Sequence, residues 1–232
     1  MRYIEHIIEP QRLLLSWQPK DSQHRQRMLV AELRQNKNDN ADLIYCTQSQ
    51  DFLNAQKIGF PGYPGLGTDV AIHENILTPF IKRLPPRTRE DFGRFLEALR
   101  IKSDSEISDF ALLGYSGAKL PDDDFTVIHS FENASPPFEF MLSVQGYQHY
   151  EKLLPFKPLI DMSATFEPEP DNPYDTQAIK VIINGVMAGY VCRGLTTSFR
   201  RWLQSNLTIS AYVERINGTE QKPRVYLYVS VR

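Results

Sequence analysis

The chain has 232 residues, a formal net charge of −2, 41% hydrophobic and 23% charged residues. That profile excludes a disordered chain and suits one large globular domain or two small ones. The net negative charge excludes a protein that coats nucleic acid with its whole surface, so any polyanion contact must be local.

Two cysteines, Cys46 and Cys192, are too few and too far apart for a disulfide framework or a zinc site. They read as reduced thiols of a cytoplasmic protein. The opening residues MRYIEHIIEP are too short and too charged for a signal peptide. No apolar run approaches the roughly 20 residues that a membrane span needs, so no membrane partner is expected.

Taken in order, residues 13–17, 28–33 and 42–46 read as short strands, with a polar turn over 19–27. Residues 58–67 hold four glycines and two prolines and must be a loop. No Lys-Ser/Thr follows them, and the prolines remove N–H donors, so this is not a phosphate-cradling P-loop. Ile76, Phe80 and Ile81 have helical spacing. Thr88 is a candidate N-cap for a helix presenting Phe92, Phe95, Leu96 and Leu99, and Ser105 or Ser108 for one carrying Phe110, Leu112 and Leu113. Gly114-Tyr115-Ser116-Gly117 ends that helix, and Pro121 to Asp124 turns into a strand at 125–128.

Asn133-Ala134-Ser135-Pro136-Pro137 is the best linker. Beyond it, 138–144, 159–166, 179–183, 186–191, 207–213 and 225–231 read as strands, with Asn184-Gly185 as a hairpin turn. One helix interrupts them near 195–203, with Phe199, Trp202 and Leu203 on its apolar face. The expected class is α+β. A small α+β module over 1–136 is followed, over 137–232, by a mostly-β, closed or nearly closed barrel with one or two short helices.

The most informative run is Glu169-Pro170-Asp171-Asn172-Pro173-Tyr174-Asp175-Thr176-Gln177-Ala178-Ile179-Lys180-Val181. On chemistry alone, Asn172 and Asp175 bond nearby backbone and shape a turn that enters a strand. The run also resembles the signature of the HIRAN domain, an acidic-Pro-x-Asn-Pro-Tyr-Asp segment leading into Ala-Ile-x-Val. Upstream, Gly146-Tyr147-Gln148-His149-Tyr150 stands where the family has Gly, a basic residue and paired aromatics. Downstream, Asn184 to Val191 resembles the family's hairpin ending in Val-Gly-aromatic/His-Leu. The likeness covers about residues 137–232.

The resemblance implies a single-stranded DNA-binding module that grips a free 3′ end. It implies an OB-like barrel and assigns Asp175 as acceptor for a terminal 3′-hydroxyl, Tyr174 to the turn or to stacking, Asn172 to the binding loop, and Tyr147, His149 and Tyr150 to a base-binding face. Tyr190 falls where the family often has His, Arg193 is placed on a phosphate, and Lys180 assists. Two positions depart from the pattern. Gln148 replaces a basic residue, and Tyr190 lacks a titratable ring nitrogen. Residues 137–232 carry a net charge of only +1, so affinity should be modest and its salt dependence shallow.

Other chemistry finds little support. There is no GxxxxGK[ST] run, no HExxH and no G-x-S-x-G around Ser116. His6, His24, His73, His129 and His149 are scattered, and the consecutive Asp122, Asp123 and Asp124 suit a solvated turn better than a metal site. No cofactor, metal or enzymatic activity is expected. The order of elements in 1–136, with Ile76 to Pro86 and then Asp109 to Ala118, resembles the N-terminal subdomain of HipA-type toxin kinases. That implies a protein partner for residues 1–136 in a bacterial toxin–antitoxin or phage-defence setting, and an adaptor role as the alternative function.

Overall fold

The computed structural model describes residues 2–19, 26–38, 40–121, 123–219 and 222–232. His24, Asp122 and most of the 19–27 turn lie outside the described residues. The chain divides into two compact units, one of Met1–Ile8, Gly93–Ser105 and Glu132–Arg232, the other of Glu9–Phe92 and Glu106–Phe131. The units are therefore not the consecutive stretches 1–136 and 137–232. Residues 1–8 and 93–105 group with the C-terminal strands because their hydrogen bonds go there. Glu139 accepts from the amides of Glu5 and His6, each at 3.1 Å, and the Arg215 guanidinium donates to the Ala98 carbonyl at 2.6 Å.

In the unit of Glu9–Phe92 and Glu106–Phe131, β1 (Arg12–Trp17), β2 (Met28–Gln35), β3 (Ala41–Tyr45), β4 (Ile72–His73) and β5 (Phe125–Ile128) form an antiparallel sheet ordered β4-β3-β2-β1-β5. Helices α1 (Gln50–Lys57), α2 (Leu77–Ile81) and α4 (Asp109–Ser116) belong to it, and α3 (Phe92–Ala98) lies where the chain leaves it. Ser108 caps α4, its hydroxyl accepting from the Ala111 amide at 2.9 Å. Thr88 caps nothing, because residues 88–91 form turns and the helix starts only at Phe92. Helix α1 has no strong sequence signal, since only Phe52 and Ala55 of its eight residues are buried.

The glycine-rich loop is packed from within. Tyr63 stacks on Phe80 with centroids 4.3 Å apart, and its amide donates to the Tyr45 hydroxyl at 2.8 Å. Gly62 has φ +89°, and a Cβ there would lie 2.7 Å from the Leu66 carbonyl oxygen. The buried Arg83 guanidinium donates to the Ala118 carbonyl at 2.7 Å and pairs with Asp123. Asp123 is thus a structural counter-ion, and the Ser116 hydroxyl bonds back to the Leu112 carbonyl at 2.7 Å.

In the unit of Met1–Ile8, Gly93–Ser105 and Glu132–Arg232, β6 (Phe138–Ser143), β7 (Ser163–Pro168), β8 (Ile179–Ile183), β9 (Val186–Tyr190), β10 (Ile209–Thr219) and β11 (Lys222–Val231) form a six-stranded antiparallel sheet ordered β6-β11-β10-β7-β8-β9. Its ends meet where the Gln145 amide donates to the Tyr190 carbonyl at 2.8 Å and the Tyr190 amide returns to Gln145 at 2.9 Å. The sheet therefore curls as an OB-like barrel does. Only glycine suits the preceding position: Gly189 has φ +145°, and a Cβ would sit 2.3 Å from the Gln145 carbonyl oxygen.

Besides most of α3, the described residues of this unit form two short helices, α5 (Tyr147–Tyr150) and α6 (Thr196–Gln204). The latter inserts Phe199 and Trp202, both fully buried, among Phe138, Phe140 and Phe166. The class is α+β, and this unit is mostly β. The strand expected from residue 159 starts only at Ser163, because Asp161 turns the chain with φ +69° and leaves Leu159 and Ile160 exposed. At Asn184 and Gly185 the φ values are +48° and +82°, the pair a type I′ hairpin turn requires. Among the described residues, no helix is long and apolar enough to cross a membrane.

Because Trp202 is 1% exposed against the rings of Phe138, Phe140 and Phe199 while Leu159 is exposed, the two sites should respond differently. Trp202→Ala should cost about 3–5 kcal/mol and Leu159→Ser less than about 0.5 kcal/mol in urea unfolding. Similar losses would mean that α6 is not the plug of this core.

Candidate nucleic-acid interface

The loop from Glu169 to Ala178 joins β7 to β8 and is pinned at its neck, where the Glu169 amide donates to the Ala178 carbonyl at 2.9 Å. Inside it, Asn172 uses both ends of its carboxamide. Oδ1 accepts from the amides of Tyr174 at 2.9 Å and Asp175 at 3.1 Å, which fixes the turn. Nδ2 donates to Glu169 Oε2 at 2.6 Å and to the Tyr190 hydroxyl at 3.1 Å. The Tyr190 hydroxyl donates to the same Glu169 oxygen at 2.9 Å, and Tyr150 donates to Tyr190 at 3.4 Å with the rings edge-on.

This network perturbs its acids in opposite directions. The hydrogen bond from Asn172 holds the Glu169 carboxyl below the usual carboxylate range, assisted by Tyr190 and the charge of Lys180. Burial first, then the bonds to Tyr150 and Glu169, push the Tyr190 hydroxyl far above the ordinary phenol value. Tyr190 is therefore a neutral donor at physiological pH.

Beyond the turn, Tyr174 projects into solvent at 84% exposure. Next to it, Asp175 Oδ1 accepts from the Gln177 amide at 2.9 Å, and Oδ2 faces Arg193 Nε at 3.3 Å. That pair is mostly covered, with 20% of the Asp175 and 29% of the Arg193 side chain still accessible. Arg193 follows β9 in the 3-10 turn Arg193–Leu195, whose carbonyl at 193 accepts from the Thr196 hydroxyl at 3.0 Å. Arg200 of α6 reaches the Thr176 carbonyl at 3.5 Å.

The sequence-predicted residues separate into groups. Asn172, Tyr150 and Tyr190 meet in one network, Asp175 and Arg193 form the ion pair, and Tyr174 stands exposed beside them. Gln148 and His149 are exposed on α5, within 3.3 Å of each other. Lys180 lies on β8 opposite Glu167 and Tyr190 and pairs with Glu167 at 3.7 Å.

Tyr147 requires a correction. It is 4% exposed, with its hydroxyl pushed up by burial, because α5 turns this ring into the core and shows Gln148 and His149 to solvent. It is not part of an open base-binding face. Asn172 likewise spends its polar atoms on the turn. Glu169 was overlooked as a site residue, although the acidic position of the motif signals it.

No protein-family model matches the chain, and no curated protein matches it. Among solved structures, the HIRAN domain of human HLTF aligns at 20% identity over 40% of this chain and 74% of that one, with a TM-score of 0.32. That score is too low to equate the two folds.

Replacing Asn172 by Asp would remove the donor and set a second carboxylate against Glu169. In the natural protein Glu169 has a lowered folded pKa, so its contribution is present above the unfolded value of about 4.3 and fades as pH falls through the folded value. In Asn172→Asp the two carboxylates repel, folded pKa values rise, and stability is lost as pH rises. Urea unfolding should show a deficit of about 1–3 kcal/mol at pH 7.5 that shrinks at pH 5. An equal deficit at both pH values would mean the carboxylates do not face each other.

Proposed function

We propose that the unit containing residues 132–232 binds nucleic acid and receives the 3′-hydroxyl end of single-stranded DNA, as a binding module rather than an enzyme. The observation that carries this reading is Tyr174, a nearly fully exposed aromatic on a turn that Asn172 holds rigid, beside the accessible Asp175–Arg193 pair. Its ring face is ready to stack on an unpaired base, an interaction worth about 1–3 kcal/mol, and the turn needs no further ordering. The Asp175 carboxylate has acceptor capacity for a terminal hydroxyl and would repel a phosphate in the same place. Arg193 sets a cation beside it for the preceding internucleotide phosphate. His149 and Gln148 add donors from α5. The resemblance of 169–181 and its flanking segments to the HIRAN signature supports the same reading.

The test is fluorescence anisotropy with a short labelled single strand ending in 3′-hydroxyl, the same strand 3′-phosphorylated, and a blunt duplex. The hydroxyl-ended strand should bind best. Tyr174→Ala should weaken it by about 5–150-fold. Asp175→Ala should weaken the hydroxyl-ended strand much more than the phosphorylated one. With two or three cations engaged, log K should fall by only about 1.4–2 per decade of salt. Equal loss on both strands in Asp175→Ala would remove the end-selecting role.

A second reading, a protein-contact surface on the unit of Glu9–Phe92 and Glu106–Phe131, is favoured by Val70 and Ile72, 47% and 52% exposed at the short edge strand β4. Purification from the native cell should then yield a stoichiometric partner that Ile72→Lys releases. A solitary chain would count against it.

A further inference from the structure

The β10–β11 hairpin is longer than the sheet that carries it. β7 pairs with β10 only at Ala211 and Tyr212, and β6 pairs with β11 from Tyr226 onward. Beyond Val225, whose carbonyl still accepts from the Val144 amide at 3.0 Å, the stretches Ile216–Thr219 and Lys222–Arg224 have strand ladders only with β11 and β10 themselves, through Ile216↔Val225, Asn217↔Arg224, Gly218↔Pro223 and Thr219↔Lys222. They form a two-stranded ribbon. Pro223 fits there because it has no N–H to offer a third strand. Gly218, with φ +96°, brings its Cα so close that a Cβ would lie 2.3 Å from the Lys222 carbonyl oxygen.

Directly paired residues share a face, and faces alternate along the strand. Ile216, Val225, Gly218 and Pro223 therefore fall on one side. Arg215, Tyr226, Asn217, Arg224, Thr219 and Lys222 fall on the other. The second face is polar and cationic, and its described residues include no carboxylate. Arg215 anchors its base, stacked on Tyr226 at 4.3 Å and bonded to the Ala98 carbonyl. Asn217, Lys222 and Arg224 are exposed further out. Among the described residues Lys222 and Arg224 have no ion-pair partner, as is true of Arg94, Lys152 and Lys157 in the same unit, whereas Arg2, Arg100, Lys102, Lys180, Arg193 and Arg232 are paired.

We infer that this ribbon face binds the phosphate backbone of duplex DNA adjoining the strand end. A two-stranded ribbon is narrow enough to enter or follow a major groove. Charge complementarity chooses the occupant, since a face whose described residues carry Arg215, Lys222 and Arg224 and no carboxylate, on a chain of net charge −2, suits a polyanion. Helix α5, which carries Gln148 and His149, packs against both β9 and β11, so the ribbon springs from the same structural support as the end site. The inference rests on the single-strand reading for the position of the strand end, and the preferred ligand becomes a duplex with a short 3′ tail.

The experiment compares the full chain with Lys222→Ala/Arg224→Ala on three labelled DNAs: a short single strand with a 3′-hydroxyl, a duplex with that strand as a 3′ tail, and a blunt duplex. The double variant should bind the tailed duplex about tenfold more weakly in low salt and the single strand unchanged. The salt slope on the tailed duplex should shrink by about 2, from two phosphates at roughly 0.9 each. Lys222→Arg/Arg224→Lys should restore both. Unchanged binding of the tailed duplex, or an equal loss on the single strand, would overturn the ribbon's role. So would displacement of the tailed duplex from the natural chain, but not from the double variant, by short polyglutamate at matched ionic strength, which would assign the face to an acidic protein. If neither the natural chain nor the variant binds the single strand, yet the blunt duplex still depends on Lys222 and Arg224, the end-binding reading fails and the ribbon inference stands.

Discussion

The candidate site depends on one carboxamide. Asn172 accepts two backbone amides with its oxygen and donates to a carboxylate and a phenol with its nitrogen. No other side chain of that size offers two acceptor sites and two donors at fixed positions. An aspartate would satisfy the amides and repel Glu169, while a serine could not reach both sides. Through this residue the loop, the end of β9 and the tyrosine pair form one hydrogen-bonded network, with Tyr174 turned into solvent and Asp175 partly accessible beside it. A surface loop that binds a ligand otherwise loses freedom when it does so. Here the ordering is already complete.

A second polar arrangement builds the unit around that loop. Glu139 is buried and accepts from two amides, the His6 ring and Arg232. Glu214, also buried, meets Arg2 at 3.0 Å and Arg100 at 2.8 Å. Both carboxylates are matched by several donors, the condition under which a buried charge is tolerated. Burial together with the charge of Glu139 lifts the Tyr228 hydroxyl to about 12, and that hydroxyl donates to the Tyr3 carbonyl. Sheet and N-terminal segment are thus joined by charge-assisted bonds, while Phe199 and Trp202 close the opposite, apolar side.

Much of this was legible from short-range pattern. The hairpin at Asn184-Gly185, the Ser108 cap, the apolar face of α6 and the Asn172 turn all depend on residues within about four positions of one another, and each is observed. Helix α1 was not legible because most of its side chains are polar and only two are buried. Thr88 looked like a cap because its neighbours have the right composition, but the Pro85-Pro86 break and the following turns delay the helix to Phe92. Tyr147 and Tyr150 read as equivalent aromatics, but three residues of helix set them about 60° apart around the axis, which separates a core ring from a half-exposed one.

By itself the sequence determined most of the strands, the Asn184-Gly185 turn and the chemistry of the 169–178 loop, because alternation, turn propensity and side-chain-to-backbone bonding act over a handful of residues. Only the tertiary structure decided that residues 1–8 and 93–105 belong with the C-terminal strands, that Asp175 faces Arg193, that Glu169 and Tyr190 share Asn172, and that the β10–β11 ribbon outruns its sheet. Those outcomes follow from pairings between distant segments. Their register is set by mutual burial and hydrogen-bond satisfaction across the whole unit, which no local pattern encodes.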